Sequence, residues 1–203
     1  MNRPKHLFSA LALLSAFFFT VNAQPETRPQ IEPSYDVSLQ LLVGSNDASG
    51  KPELPSALAG ITRQLKQNFA FSDYRVSNTF IGRIANGGNF EFKSISGITG
   101  READPDTQSF LEWSMGRLMS VGAVGGKNAV QAQSFRFGAK VPVKVGSTKD
   151  GDAMRSVYNY EPIGLNLGRV GLAENTPTLI GTLSLPRTDG TIFVVMTVKP
   201  AEL

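Results

Sequence analysis

The sequence has no cysteine, and its single histidine, His6, lies in an N-terminal stretch that reads as a removable secretion signal. Ser-His-Asp or Cys-His nucleophilic machinery therefore cannot be assembled in the mature chain. A zinc site of the usual nitrogen and sulfur ligands is excluded as well. No side chain remains whose ordinary pKa falls between about 5 and 8. Disulfides are absent although an oxidising compartment would permit them, so stability must come from packing.

The signal is built from three parts. Arg3 and Lys5 supply a positive start. Leu7 to Val21 is apolar apart from Ser9, Ser15 and Thr20, and Val21-Asn22-Ala23 puts small or modest residues where a signal peptidase reads. Cleavage is expected after Ala23. The apolar run of 15 residues is short against the roughly 20 that span a bilayer, and Pro-rich polar sequence follows. No stable membrane span is expected after cleavage, and no cysteine is available for a lipid anchor. The expected localisation is exported, periplasmic or extracellular.

Cleavage would leave 180 of the 203 residues, enough for one core without staples. Two of the 20 Lys and Arg fall in the signal, leaving 18 against 17 acids and a net charge of +1. That balance gives no electrostatic case for nucleic acid or an anionic membrane as partner. All 20 Gly and 11 of the 12 Pro lie after Ala23, as many turns between short strands would require.

Residues 24–34 (QPETRPQIEPS) carry three prolines and one aliphatic residue and read as an extended linker. In Tyr35 to Val43, Val37, Leu39 and Leu41 alternate with Asp36, Ser38 and Gln40, which predicts a half-buried strand. Pro55 to Asn68 is the one clear helix, with Leu54, Leu58, Ile61 and Leu65 on one face and Pro55 suited to a first helical position. Gly60 in its interior suggests a close approach to a sheet. Tyr74–Ile84 and Asn89–Ser96 flank Asn86-Gly87-Gly88, a strong hairpin signal in which both central residues take positive φ. The segment 35–100 is thus expected to form a β-α-β-β unit.

Gly97 to Thr107 is a polar connection and a candidate boundary. Beyond it, Leu111, Trp113 and Met115 alternate as a strand, and Gly122–Asn128 reads as a flexible loop. Further strands are expected at 129–137, 139–145, 156–160, 163–172, 178–185 and 191–199. Arg187 to Gly190 would make the last turn. Ile192 to Val198 is almost wholly apolar, as in a strand buried on both faces. The fold class is α+β: an N-terminal β-α-β-β unit followed by a mainly antiparallel β region over 108–203.

Gly122-Ala-Val-Gly-Gly-Lys127 falls one residue short of a phosphate-binding loop, and Asn128 stands where a magnesium-binding Ser or Thr is needed. The pairs Asp104/Asp106 and Asp150/Asp152 are too few oxygens for a calcium loop. No metal or cofactor is expected. Glu91, Glu112 and Glu161 are the carboxylates in or beside strands that could run glycoside hydrolysis without histidine. Tyr35, Tyr74, Trp113, Tyr158 and Tyr160 could form a sugar-stacking platform, though aromatics are also ordinary strand formers. Arg136, Lys140, Lys144, Lys149 and Arg155 concentrate positive charge, as a solvated strand face or a surface for an acidic partner would.

Phe135-Arg-Phe-Gly-Ala-Lys-Val-Pro142 is followed by a polar loop and then by Val157-Tyr-Asn-Tyr-Glu-Pro-Ile-Gly164-Leu-Asn-Leu167. Residues 129–200, which include these, resemble the C-terminal core of bacterial secretins, the outer-membrane proteins of type II and type III secretion systems. There a Gly…Val-Pro strand precedes a loop and a Tyr-x-x-Val-Gly-x-x-Leu strand. Pro177-Thr-Leu-Ile-Gly181 and Ile192-Phe-Val-Val-Met-Thr-Val-Lys-Pro200 resemble the end of that core. The β-α-β-β unit is similar to the small KH-like modules that stack into periplasmic rings in that family. Secretins are much longer, with repeated ring modules and a full set of barrel strands. The resemblance therefore implies an architecture and a tendency to self-associate, not a channel.

The resulting expectation is a non-enzymatic, exported assembly module that pairs sheet edges with itself or an envelope protein. The rival is a carboxylate-based hydrolase or a binding module for extracellular glycans.

Overall fold

The computed structural model describes residues 32–46, 54–98, 108–151, 153–185 and 190–202. The expected signal (1–23), the linker up to Ile31, and Asp104, Asp106, Asp152 and Arg187–Asp189 lie outside the described residues. The described chain is mostly antiparallel β-sheet with one helix, an α+β composition. Its strands run β1 Ser34–Ser45, β2 Asp73–Ala85, β3 Phe90–Ser96, β4 Ser109–Gly116, β5 Met119–Val124, β6 Lys127–Ala132, β7 Ser134–Asp150, β8 Ala153–Leu167, β9 Val170–Ala173, β10 Thr178–Ser184 and β11 Thr191–Pro200. The helix α1, Ala59–Asn68, follows a one-turn 3-10 segment, Ser56–Leu58.

Alternation decides where these elements go. Val37, Leu39 and Leu41 of β1 face one way and are fully buried. They lie with Ile192, Val194, Met196 and Val198 of β11 against Leu111, Trp113 and Met115 of β4 and Phe135 and Phe137 of β7. That layer joins a first sheet, ordered β10-β11-β1-β2, to a second, ordered β3-β4-β7-β8. Strands from segments 35–100 and 108–203 sit side by side in both sheets, and Glu32–Leu203 forms one compact unit. A small third sheet, β5-β6-β9, adds Val130 and Leu172 to the same core. The Trp113 ring centroid lies 4.7 Å from that of Phe90 and 6.4 Å from that of Phe135. Its buried indole N–H has no acceptor among the described residues, a cost of about 1–3 kcal/mol offset by the apolar area the ring removes from water.

A second, smaller core lies on the opposite face of the first sheet. Leu58, Ile61 and Leu65 pack there on Leu42, Tyr74, Phe193 and Val195. Strand β11 is therefore covered on both faces, as its unbroken apolar run predicts. The helix proper starts at Ala59, later than expected, because Pro55 precedes the 3-10 turn that the Leu58 N–H closes onto its carbonyl at 2.8 Å. The Tyr74 hydroxyl donates toward the carbonyls of Phe69 (2.9 Å) and Leu65 (3.3 Å), tying the end of α1 to β2. Burial raises the Tyr74 pKa above its ordinary value.

Gly60 makes no close approach to a sheet: it is exposed, and a Cβ there would meet nothing within 4 Å. Alanine removes the backbone entropy penalty of glycine without a clash. Gly60→Ala should stabilise the protein by about 0.5–1 kcal/mol, read as a higher urea midpoint at unchanged slope. An unchanged or lower midpoint would show that α1 is not formed as described.

The Asn86-Gly87 signal does not make a hairpin. Strands β2 and β3 belong to different sheets. Gly87 has φ +75°, but Asn86 is not among the residues of positive φ, so the two-residue primed turn is absent. The chain turns a corner instead, held by Asn86 N–H to the Pro33 carbonyl (2.8 Å) and Gly87 N–H to the Leu118 carbonyl (2.6 Å). Phe90 and Phe92 of β3 fold over the first sheet rather than beside β2. The Phe90 ring fills the space over Gly82 where any Cβ would overlap it. Side chains close the seam: Ser77 Oγ donates to the Ile98 carbonyl and Asn78 Nδ2 to Ser96 Oγ, both at 2.6 Å.

The primed turn occurs elsewhere. The expected loop at 122–128 is part of the β5–β6 hairpin, in which Val124 pairs with Lys127 and Gly125 and Gly126 take φ +59° and +78°. The strands expected at 129–137 and 139–145 are divided differently, into β6 and the 17-residue β7. The strand expected at 156–160 and the first half of that expected at 163–172 form one strand, β8, and only the end of the latter falls in β9. Gly138 and Pro162 read as breaks but lie inside continuous ladders, Gly138 opposite Gly164 and Pro162 opposite Lys140.

Candidate functional site

Two features stand out, and both belong to the second sheet. The first is its outer face. Residues directly opposite one another across the strands form rows. One row is Ile95, Phe110, Lys140 and Pro162, from β3, β4, β7 and β8 in turn. The next is Lys93, Glu112, Gly138 and Gly164, and the third is Glu91, Ser114, Arg136 and Asn166. Gly138 and Gly164 are side by side in the middle row, with the Glu112 side chain lying against Gly138. A groove of about 650 Å³ lies on this face, lined by Lys93 and Glu112 and by Ile95, Phe110, Lys140 and Pro162. The Phe110 and Tyr160 rings meet across β7 at 5.6 Å between centroids. Lys93 Nζ lies 2.9 Å from Glu91. The hydrogen bond and charge of that carboxylate hold the ammonium pKa above its usual value.

The second feature is a two-stranded ribbon. The β4–β7 pairing ends at Lys140, whereas β7 and β8 stay paired with each other out to Asp150 and Ala153. The turn between them contains Gly151 at φ +62°, and Asp150 bonds to Arg155 at 3.0 Å. From Lys144 to Val157 the described residues are exposed. Met154 is 69% and Val145 53% accessible. Among the described residues, six of the eight exposed large apolar ones belong to this sheet and ribbon: Ile95, Phe110, Val145, Met154, Val157 and Tyr160.

The carboxylates singled out by sequence do not converge as three. Glu91 and Glu112 share the outer face on adjacent strands, both exposed. Glu161 lies on the opposite parity of its strand, opposite Val141, and accepts a hydrogen bond from Asn159 Nδ2 at 3.0 Å. The five aromatics form no platform. Tyr35, Tyr74 and Trp113 are buried in the cores, Tyr158 is half-buried on the ribbon opposite Lys144, and Tyr160 reaches the outer face beside Phe110. Of the basic residues, Arg136 and Lys140 stand on the face, and Lys144, Lys149 and Arg155 on the ribbon. Among the described residues no group of three or more His, Cys, Asp or Glu could hold a metal. None of the described helices is long and apolar enough to cross a membrane, which says nothing of a β-barrel.

Phe110 is the groove residue that sequence reasoning passes over. Its signal was parity: if Leu111, Trp113 and Met115 face the core, Phe110 must face out. Comparison with known protein families and with curated proteins gives no match to this chain.

Proposed function

We propose that the chain is an exported, non-enzymatic interaction or assembly module of the cell envelope, secretin-like in architecture but without channel activity of its own. The observation that carries this reading is the β7–β8 ribbon. Among the described residues, the two strands pair beyond Lys140 only with each other, which leaves each a free edge there. A two-stranded ribbon by itself is marginal in water, and this one also exposes Val145, Met154 and Val157. Strand addition by a partner satisfies both demands. Two of the segments that resemble secretins, 135–142 and 157–167, form the base of this ribbon and pair with each other. The partner is a second copy or an envelope protein. The β-α-β-β order of 35–100 then serves as scaffold, and the N-terminal signal delivers the chain to the envelope.

The exposed positions of Glu91 and Glu112 favour this reading over a hydrolase, whose general acid needs a sheltered carboxyl of raised pKa. Sedimentation velocity should detect association of the wild-type protein that is lost in Met154→Glu/Val157→Glu at unchanged melting temperature. Glu91→Gln, Glu112→Gln and Glu161→Gln should each leave association intact. The reading falls if the wild type stays monomeric at all concentrations and a photo-crosslinker at position 154 captures no envelope protein. A folded Glu→Gln variant that loses hydrolysis of a glycan would put the hydrolase in its place.

A further inference from the structure

We propose that the groove on the outer face of the second sheet binds a neutral oligosaccharide, laid across β3, β4, β7 and β8. This inference is independent of the assembly reading, which rests on the ribbon.

The chemistry of the groove narrows its occupant by elimination. Gly138 lies in β7 where that strand is paired on both sides, so the floor has no spare backbone groups for an extended peptide to join. A fatty chain would want apolar walls all round, but Glu112 and Lys93 line one side. A simple anion would meet Glu112, and a simple cation Lys93 and Lys140. What fits is a neutral ligand with a flat apolar side and many hydroxyls. Ring C–H groups would lie on Phe110, which is 47% accessible and backed by Tyr160. Hydroxyls would donate to the Glu112 carboxylate and accept from Lys140. Among the described residues Lys140 has no ion pair, so its ammonium is available. A few convergent polar groups beside an apolar wall are the usual composition of a ligand site, and a groove of about 650 Å³ is of the usual size.

The glycines complete the argument. A Cβ on Gly138 would lie 3.3 Å from the Glu112 side chain, and its φ is not positive. Glycine at 138 lets the Glu112 carboxylate lie down against the groove floor, where a ligand hydroxyl can reach it. Gly164 beside it is explained by backbone crowding, since a Cβ there would come 2.9 Å from the Phe137 carbonyl. Four strands about 4.8 Å apart make the groove roughly 14 Å wide, suited to several rings rather than one.

Isothermal titration calorimetry of the purified protein with cellotetraose, chitotetraose and maltotetraose tests the proposal. At least one should bind in the micromolar to millimolar range, with little dependence on salt. Phe110→Ala should weaken that binding by about tenfold or more. Gly138→Leu should remove it by displacing Glu112 and filling the groove, with cooperative unfolding retained. Should Gly138→Leu fail to fold, Gly138→Ala and Phe110→Ala carry the test, since Phe110 is largely outside the core. The proposal is overturned if none of the three sugars gives heat at about 10 mM. It is equally overturned if binding persists unchanged in both groove variants, which would place the sugar elsewhere.

Discussion

Val195→Asp should leave no cooperatively folded protein at room temperature. Val195 is 0% accessible, lies opposite Gln40 of β1 and Leu179 of β10, and points into the cluster of Leu42, Phe193 and the apolar face of α1. A carboxylate placed there loses its hydration and gains no basic partner within that cluster. Burying an unpaired charge costs at least several kcal/mol even after relaxation. A domain of this kind has about 5–15 kcal/mol in total. The same change would abolish association, but through loss of the fold rather than of an interface. Val195→Ala separates the two causes. It deletes two buried carbons, about 1.6 kcal/mol at ~0.8 per carbon, plus a cavity term, and should remain folded and associated. A circular dichroism melt of Val195→Asp with a midpoint close to the wild type would mean that β11 is not the middle layer of the protein.

The elements legible in the sequence are those whose environment is written in their own periodicity. Strand β1 shows two-residue alternation because one face meets the main core and the other is largely polar. The helix shows three- and four-residue spacing because one face meets Phe193 and Val195. Strand β11 shows neither pattern because both its faces are covered. What was not legible depends on partners distant in the chain. Asn86-Gly87 carries a hairpin signal, yet Phe90 gains more by stacking near Trp113 and covering Gly82 than β3 would by pairing with β2. Gly125-Gly126 reads as flexible, yet both residues are held at positive φ because β6 is anchored by β9. Gly138 and Pro162 read as breaks in two strands that are continuous because each has its neighbour's ladder to follow. The groove was only half legible: parity sends Phe110 and Glu112 outward, but which outward residues meet depends on the registers of four strands. The ribbon was hidden for the same reason, since the length of β4 decides where, among the described residues, the sheet narrows to β7 and β8.

Leu65→Ala should destabilise the protein by about 2–5 kcal/mol, the range for a fully buried leucine. Leu65 is 0% accessible and belongs to a cluster of only seven buried residues. A cavity there has little to collapse onto, because Phe193 is held in a β-sheet paired on both sides and Tyr74 is tied by its hydroxyl to the end of the same helix. The loss should therefore fall in the upper part of that range. Two probes locate it. Trp113, the single tryptophan, reports the main core, while far-ultraviolet dichroism reports the whole chain. Coincident urea transitions, both shifted to lower midpoint, are expected if α1 and the sandwich unfold as one unit. Gly60 lies on the solvent side of the same helix, so Gly60→Ala should return its own 0.5–1 kcal/mol, roughly, in the Leu65→Ala background as well. A loss of under about 1 kcal/mol, with the tryptophan transition unmoved, would mean that α1 sits on the sheet without stabilising it, and the second core would have to be abandoned.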